Sequence, residues 1–483
     1  MSLLQHPAAI PSQAALYEVD NSLVFSTDGT YADANSLMYH QISTGDGWQA
    51  ASNAGTNARK LTVSCWFKRT LLTESSHFPR IFDYRAGGVA FSVFFNTSDQ
   101  LGLYDDNTSM NLVSNRVFRD TTPWYHIVVQ ADSTQSTASD RLKVYINGVA
   151  LTEWDTEDFG NQNVDLSPFR TTNTNLQIGG AGFDASAYFN GYITEYNFID
   201  GSTQAHTEFG LFDSDTGIWI PKKYGGSYGT LGHYYNFSVA SDVGQDFSGN
   251  DNDTTNRGSG VTNGAARQAT DTCTNNFCIM NAVDTFKNVP VTYTDGGSRV
   301  EGSSGNRKGA RGTVGLQKGK WYYEFKASGS GDLIGWSNAE QETAVNNNAH
   351  ETPIVVAHSF PNGGLYIMDS AGQRVDTSYS GMTHSSSSIY SCLMNLDDDQ
   401  ITFQKDGTNA GTVNIDIDQL GDDDIYALPF CAINGNVEFN FGGFRTFSIS
   451  SAQSDANGHG TFEHAPPSGY FAICTKNLAE YGG

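Results

Sequence analysis

The chain has 483 residues, which is too long for one core of ordinary size and predicts two or three domains. Its formal net charge is −25, with 27 Lys and Arg residues against 52 Asp and Glu residues, so we expect neither nucleic acid nor an anionic membrane as a partner. With 51 glycines, 12% aromatic residues and no long runs of helix-forming residues, the composition favours many short strands joined by tight turns, an all-β fold.

The N-terminal region predicts where the protein folds. It does not combine a basic segment with an apolar one, and no window of the chain approaches eighteen apolar residues, so we expect neither a signal peptide nor membrane insertion. We therefore predict folding in a cytoplasm, with the six scattered cysteines as free thiols. Residues 1–20 contain two prolines and no strong period, which indicates an N-terminal arm that attaches the protein to an assembly or, equally, a frayed terminus.

A first β-sandwich is predicted over residues 21–222. Short apolar runs separated by Gly, Asn, Asp and Ser clusters are typical of sandwich strands. The strongest pair is Trp124 to Val129 and Leu142 to Ile146, and the following Asn147-Gly148 turn predicts a hairpin onto Val149. The other predicted strands are Ser22 to Phe25, Leu61 to Arg69, Arg80 to Tyr84, Val89 to Phe95, Leu176 to Gly179 and Gly191 to Ile199.

Parts of this domain carry a resemblance to a known family. The sequence WYHIVV, followed after a polar loop by LKVYINGV, resembles the central hairpin of laminin-G-like, concanavalin A-type jelly rolls. The sequence GYITEYNFI resembles their closing strand. The resemblance implies two packed antiparallel sheets for the first domain, but a fold of this kind does not define a ligand.

Residues 223–290 are interpreted as an ordered connecting segment. From Asp200 to Asn256 the chain has little periodicity but many aromatic residues, which predicts ordered coil laid over a sandwich. The sequences FGLFD, DTGIWIP and DFSGNDND resemble FGxFDxDTGIWxP-like and DxSGNxN-like segments of predicted proteins of tailed bacteriophages, particularly marine ones. In those proteins such segments lead from a laminin-G-like domain into a second β domain.

A second β-sandwich is predicted over residues 291–483. Trp321, Tyr323 and Phe325 share one face of a strand, and GKWYYEF followed by IGW resembles the opening of SPRY-type domains. That resemblance implies a bent sandwich with a hairpin at Asp406-Gly407, preceded by the apolar alternation of ITFQK. The sequences YALPF and VEFNF are the remaining strong strands, and the PPSGY ending is similar to the ends of phage SPRY-like domains.

The sharpest catalytic candidate is the group Glu153, Asp155 and Glu157. A strand that places three carboxylates on one face could supply a nucleophile, an orienting group and a general acid for glycoside hydrolysis. The spacing resembles the E-x-D-x-E motif of laminarinase-like and lichenase-like enzymes. The segment follows the Asn-Gly turn and leads into a polar stretch, so we interpret it as a solvated acidic loop and expect no enzymatic activity.

Two further groups are candidate binding residues. The segment from Asp246 to Asp253 offers many hard oxygen ligands around a glycine, so Asp246, Asp251 and Asp253 are candidates for a structural Ca²⁺ site. No other cofactor is expected. Four aromatic residues could stack on sugar rings, although such residues more often pack in a core or between domains: Trp48, Tyr228, Tyr234 and Tyr235.

Together these features predict an all-β chain of two jelly-roll sandwiches in series with an N-terminal arm. The resemblance implies a bacteriophage virion protein, assembled in the host cytoplasm and exposed on the particle surface, such as a tail fibre, spike or capsid-surface fibre that binds host-surface glycans or receptors. Its expected partners are other virion proteins, copies of itself in a homo-oligomer, and the glycan or receptor. Two alternatives stay open: a purely structural decoration or connector protein of capsid or tail, and a polysaccharide depolymerase.

Overall fold

The computed structural model divides the chain into two compact units that separate between Thr274 and Asn275. The structure describes residues 17–26, 37–41, 57–72, 78–86, 89–169, 175–180, 187–257, 268–285, 291–302, 308–328, 332–338, 355–359, 364–368, 374–378, 384–398, 400–414, 426–433 and 435–482. Most of the predicted N-terminal arm, residues 1–16, therefore lies outside the described residues.

The strands of the first unit are short and numerous, as its turn-rich sequence predicts. In chain order they are β1 (Ser22–Phe25), β2 (Leu37–Gln41), β3 (Lys60–Arg69), β4 (Arg80–Ala86), β5 (Val89–Phe95), β6 (Gln100–Asp105), β7 (Met110–Val117), β8 (Tyr125–Asp132), β9 (Leu142–Ile146), β10 (Val149–Leu151), β11 (Trp154–Asp158), β12 (Asn175–Ile178), β13 (Gly191–Asp200), β14 (Gly210–Phe212), β15 (Trp219–Pro221), β16 (His233–Tyr235), β17 (Thr255–Arg257) and β18 (Gln268–Ala269).

These strands form two antiparallel sheets and one separate hairpin. The first sheet has the order β10-β9-β8-β3-β13-β1-β18, with β16 also paired to β13. The second has the order β11-β7-β6-β5-β4-β12-β2-β17, and β14 pairs with β15 alone. The two sheets share one core, to which residues such as Phe67, Val129 and Ile193 contribute from the first sheet and Phe82 and Leu103 from the second.

The central hairpin predicted from the sequence is confirmed. Strand β8 is buried along almost its whole length, β9 alternates between buried and more exposed positions, and β9 pairs with β10. Asn147 and Gly148 have φ values of 50° and 75°, as a type I′ turn requires. The Asn147-Gly148 turn therefore joins β9 to β10 in the way that the sequence predicts.

Part of the predicted connecting segment belongs to the first unit. Strands β16, β17 and β18 add to β13, β2 and β1. Next to β18, the Nζ atom of Lys68 lies 2.8 Å from Oδ2 of Asp271, with both side chains almost fully buried. Trp124 Nε1 donates to Oδ1 of the same carboxylate over 3.0 Å. This buried network fixes residues 268–274 onto the sandwich.

The second unit is also made of short strands, followed by one short helix. The strands are β19 (Met280–Thr285), β20 (Thr292–Thr294), β21 (Arg299–Glu301), β22 (Lys308–Gly312), β23 (Lys320–Ala327), β24 (Leu333–Asn338), β25 (Val355–Ser359), β26 (Gly364–Met368), β27 (Arg374–Ser378), β28 (Tyr390–Asn395), β29 (Gln400–Lys405), β30 (Thr408–Asn414), β31 (Ala427–Ile433), β32 (Asn436–Asn440) and β33 (Phe471–Ala472), and the helix is α1 (Thr475–Tyr481).

Two sheets make up this second unit as well. One has the order β19-β22-β31-β24-β25-β26-β27, and the other has the order β20-β21-β32-β23-β28-β29-β30, with β33 parallel to β23. Tyr323 and Phe325 are fully buried on the inner face of β23, and the Tyr323 ring packs edge-on against Trp336. The hairpin at Asp406-Gly407 is present between β29 and β30, with φ values of 49° and 73°.

The C-terminal region covers part of the outer face of β23. The buried carboxylate of Glu324 accepts hydrogen bonds from the backbone N–H groups of Glu463 and His464, at 2.9 and 2.8 Å. Phe462 packs edge-on against Tyr322, two residues earlier on the same face. Burial raises the pKa of Glu324, and the two backbone donors oppose that rise. A polar residue inside the sheet thus anchors the tail that follows it.

The predicted fold class is confirmed: the chain is all-β, with antiparallel sheets in jelly-roll-type sandwiches. All six cysteines are free thiols, as the sequence predicts. Within the described ranges, no helix is long and apolar enough to cross a membrane.

Candidate functional site

The three acidic candidates lie on an exposed edge strand. Glu153 precedes β11, whereas Asp155 and Glu157 belong to it, and all three are solvent-exposed. The sequence predicts a loop here, but the segment pairs with β7 at the end of the second sheet, with a bulge between Trp154 and Thr156. Asp155 accepts a hydrogen bond from the side-chain amide of Gln100. The carboxylates therefore face solvent instead of a groove.

The acidic loop that starts at Asp246 is organised by donors from the protein. Its carboxylate accepts four hydrogen bonds: from the backbone N–H groups of Tyr234, Ser248 and Asn252, and from the Ser248 hydroxyl. Asp253 accepts a hydrogen bond from the backbone N–H of Asp246 at 2.7 Å. These contacts explain the D-x-S-G-N-x-N pattern as a structural loop.

The calcium site suggested by this loop stays a prediction. Asp251 is exposed and has a φ of 57°, a conformation that Asp and Asn tolerate better than most residues. Across the ranges that the structure covers, no three His, Cys, Asp or Glu side chains are grouped so that they could hold a metal ion. Asp246, Asp251 and Asp253 are thus close in sequence without forming a common ligand set.

The candidate sugar-stacking tyrosines are buried. Tyr228, Tyr234 and Tyr235 have exposed fractions of 9%, 3% and 0%. Their hydroxyl groups donate to Asn197 Oδ1, to Glu195 and to the carbonyl of Asn252, respectively. They therefore pack the first unit and offer no ring face to a ligand, because hydrogen bonds hold their polar ends inside the protein. Trp48 lies outside the described residues.

The structure brings other aromatic residues together, around the β14–β15 hairpin. The sequence predicts coil for this segment, but Asp213 closes a tight turn by accepting hydrogen bonds from the backbone N–H and hydroxyl of Thr216. Gly217 follows with a φ of 69°. Phe212 pairs directly with Trp219, so the two rings share one face of the hairpin and lie 4.9 Å apart.

Trp219 fixes the hairpin to the first sheet. Its ring lies so close to Gly148 and Gly210 that a Cβ atom on either glycine would overlap it. Its Nε1 donates to Nδ1 of His126 over 2.9 Å. Because Trp has only a donor, His126 must carry its proton on Nε2, which donates to the Ser64 hydroxyl. Trp219, the last residue of the motif F-G-L-F-D-S-D-T-G-I-W, thus holds the hairpin on the first sheet.

Burial keeps His126 uncharged. Burial, together with a smaller electrostatic effect of His206, lowers the pKa of His126 to about 3. His126 stacks on Trp66 with ring centroids 4.7 Å apart, and His206 stacks on Tyr145 at 4.0 Å. The support under the hairpin is therefore a layer of neutral aromatic rings.

The hairpin carries three exposed apolar side chains, and they are divided between its two faces. Phe212 is 51% exposed and Ile218 is 44% exposed, and Leu211 projects from the hairpin face opposite Trp219. Val149, which follows the Gly148 that contacts Trp219, is 61% exposed. We call Val149, Leu211, Phe212 and Ile218 the hairpin surface. Exposed apolar side chains on a rigid support are typical of interaction sites, because their burial by a ligand or partner is favourable.

This surface is difficult to predict from sequence patterns. Hydropathy marks Leu211, Phe212 and Ile218 in the same way as core residues. Only Gly210, Gly217, the Asp-x-x-Thr turn and Trp219 suggest a hairpin. The hydrogen bond that holds the hairpin on the sheet joins Trp219 to His126, which is 93 positions away in the sequence.

Residues 43–207 match a laminin G-type family described as the Concanavalin A-like lectin/glucanases superfamily. The match ends before β14 begins at Gly210, so the hairpin surface is built largely from the residues that follow it. The comparison with curated proteins gives no match.

Two solved structures are similar to parts of this chain. A heptameric SAP-like pentraxin from Limulus polyphemus is similar at 13% identity and a TM-score of 0.28, over 40% of this chain and 81% of the pentraxin. The SPRY domain of human HERC1 is similar at 15% identity and a TM-score of 0.27, over 33% of this chain and 96% of that domain.

Proposed function

We propose that this protein is a recognition protein that binds carbohydrate or a related surface ligand through the hairpin surface of its first unit. The observation that carries the proposal is the exposure of Phe212 and Ile218 on a hairpin locked to a lectin-type sandwich by Trp219. Aromatic and aliphatic side chains can pack against the apolar face of a sugar ring or a receptor side chain.

Its biological setting is a bacteriophage virion. The protein is an appendage of the particle, a tail fibre, spike or capsid-surface fibre, that contacts glycans or receptors of the host envelope. It is assembled in the host cytoplasm with other virion proteins as a homo-oligomer, and repetition of weak single sites raises the overall avidity. The resemblance of the FGLFDSDTGIWIP and DFSGNDND segments to tailed-phage proteins supports this setting.

The protein binds without catalysis. The exposure of Glu153, Asp155 and Glu157 on an edge strand supports this, because general acid–base chemistry on a glycosidic bond uses carboxylates that face each other across the substrate. In a depolymerase, Glu153→Gln would abolish release of sugar fragments from host polysaccharide. We expect no release from either the wild-type protein or the variant.

Binding of the fluorescently labelled full chain to host cells tests the proposal. We expect saturable binding that is lost on a host mutant lacking surface polysaccharide. The double variant Phe212→Ser/Ile218→Ser should weaken binding about tenfold or more, because two buried apolar side chains typically contribute this much. A matched control is Phe78→Ser/Val117→Ser, which changes exposed residues of 39% and 42% exposure elsewhere in the unit.

Two outcomes would count against the proposal. If the two double variants bound host cells equally well, the hairpin surface would not be the binding site. If the protein did not bind at high concentration, the structural decoration or connector role would be favoured. A calcium chelator provides a third arm. We expect binding to survive it, because protein donors already occupy the Asp246 carboxylate.

A further inference from the structure

A small pocket opens on the outer face of the second unit. It has a volume of about 190 Å³ and lies over strands β21, β32 and β23. The C-terminal region covers this face over Tyr322 and Glu324 but leaves the next outward-facing residue, Lys326, at the pocket wall. The polar residues that line it are Arg299, Lys326, Ser328, Ser386, Asn436 and Glu438.

Strand register places three charged side chains in one row across the pocket. Arg299 lies directly opposite Glu438, and Glu438 lies directly opposite Lys326 on its other side. Directly opposed residues on neighbouring strands project from the same face. The intervening inward positions, Val300 and Val437, are fully buried, which confirms that the charged row faces outward.

The two cations, Arg299 and Lys326, differ in the contacts that they make with the protein. Arg299 donates from one terminal nitrogen to Glu301 at 2.8 Å, but its buried Nε has no hydrogen-bond partner among the residues that the structure describes. Lys326 forms no ion pair in those residues, and its Nζ lies 5.9 Å from the centre of the Phe447 ring. Glu438 is held by the hydroxyl of Thr446 at 2.7 Å.

Within the described residues Arg299 pairs with Glu301, so Lys326 is the cation of the pocket lining that is not held in an ion pair. The lining contains two cations and one carboxylate, in a chain with a net charge of −25. A cleft lined by an excess of one sign attracts small ions of the other sign. Ser386 and Asn436 add neutral hydrogen-bonding groups around the charged row, whereas the Ser328 hydroxyl is hydrogen-bonded to the backbone of Asn436.

We propose that this pocket binds one acidic sugar unit, a small molecule that carries both a carboxylate and several hydroxyl groups. Lys326 and Arg299 face the carboxylate, and Asn436, Ser386 and Glu438 bind the hydroxyl groups. Pockets for drug-sized ligands have volumes of about 300–1,000 Å³. At about 190 Å³, this pocket accommodates a single ring and excludes a folded peptide segment.

The proposal goes beyond the function proposed for the hairpin surface, because it assigns a binding role to the second unit. The two can fail separately. A full chain carrying Phe212→Ser/Ile218→Ser should bind an acidic sugar at the pocket as tightly as the wild-type chain does.

Ligand-observed NMR titration of the full chain tests the pocket with three probes. Sodium glucuronate has the carboxylate and the hydroxyl groups, glucose has the hydroxyl groups alone, and acetate has the carboxylate alone. We expect saturable binding of glucuronate that weakens with added salt, and at least about tenfold weaker binding of the other two. Equal affinity for glucose or for acetate would overturn the assignment to an acidic sugar.

Two substitutions of opposite sign localise the binding. Lys326→Gln should weaken glucuronate binding about tenfold or more, because it removes a charge-assisted hydrogen bond. Glu438→Gln should strengthen it, because the variant removes the only carboxylate of the lining and keeps an acceptor for Thr446. An unchanged dissociation constant in both variants would overturn the proposal.

A matched control lies on the same strand. Lys320 is six residues before Lys326 on β23, about 20 Å away, and pairs with Asp398 at 2.9 Å. Lys320→Gln should leave glucuronate binding unchanged. If Lys320→Gln weakened glucuronate binding as much as Lys326→Gln does, the effect would come from the overall charge of the protein and would contradict binding in this pocket.

Discussion

Glu195 combines two features that rarely meet in one residue. It has a φ of 51°, at the bulge where the pairing of β13 with β3 shifts, and its carboxylate is buried. Tyr17 and Tyr234 each donate a hydrogen bond to it at 2.8 Å. Burial raises the pKa of Glu195 to about 7, and the two hydroxyl groups together with the charge of Lys223 oppose this rise. The folded protein therefore holds a proton that the unfolded chain would release.

The pH dependence of stability follows from that difference. The ordinary pKa of 4.5 applies to the unfolded chain, so the folded state gains stability below 4.5 and loses it as pH rises through 7. The loss over the whole window is on the order of 3 kcal/mol. Glu195→Gln keeps the acceptor and removes the charge, so its melting temperature should exceed that of the wild-type protein by more at pH 8 than at pH 5.5.

The exposed Glu153→Gln is the matched control and should show no such trend in calorimetry. A constant difference between Glu195→Gln and wild type across this pH range would mean that Glu195 stays ionised in the fold.

At the scale of elements, the two type I′ hairpins provide a direct comparison. Gly148 and Gly407 have nearly the same φ, 75° and 73°. A Cβ on Gly148 would overlap the Trp219 ring, whereas a Cβ on Gly407 would lie 3.1 Å from Nδ1 of His464. The turns thus share a backbone conformation but differ in what surrounds them.

Alanine at Gly148 and at Gly407 separates two effects on stability, the cost of a positive φ and the cost of a clash with a neighbouring side chain. Gly407→Ala should lower the free energy of unfolding by about 1–2 kcal/mol, the cost of a left-handed L-residue. Gly148→Ala should cost about 1–3 kcal/mol more, because Trp219 must move and its hydrogen bond to His126 is lost. Denaturant unfolding of both variants measures this difference. Equal losses of unfolding free energy would show that the contact between Gly148 and the Trp219 ring tolerates a methyl group.

These elements also show how far the sequence predicts the structure. Local patterns were sufficient where one strand and one turn define the geometry, as at Asn147-Gly148 and Asp406-Gly407. They were insufficient for the pocket, because Arg299, Lys326 and Glu438 meet only through the register of strands that lie far apart in the chain. The tyrosines proposed for sugar stacking were misleading, since composition alone does not distinguish a buried ring from an exposed one.

For the whole molecule, the division between Thr274 and Asn275 gives each unit its own core. We expect two unfolding transitions in calorimetry of the full chain. Lys68→Met removes the buried ion pair with Asp271, which costs about 3–5 kcal/mol, and should lower one transition only. Lys143→Met removes an exposed ion pair with Asp140 and should change the free energy of unfolding of this unit by less than about 1 kcal/mol.

A single transition that shifts as a whole in Lys68→Met would contradict two separately folding cores. Matching small effects of Lys68→Met and Lys143→Met would instead show that the other groups around Asp271 stabilise its charge without Lys68.

The pairing of β1 with β18 has a consequence for how the first unit can be moved. Ser22 lies opposite Ala269, and the backbone of Val19 is hydrogen-bonded to the Thr274 side chain, so the chain enters and leaves this unit side by side. A domain with adjacent ends can be inserted into a loop of a host protein, exchanged for another domain, or circularly permuted, without stretching its connections. The first unit is therefore a module whose two ends meet, and recombination between unrelated genes could transfer it whole.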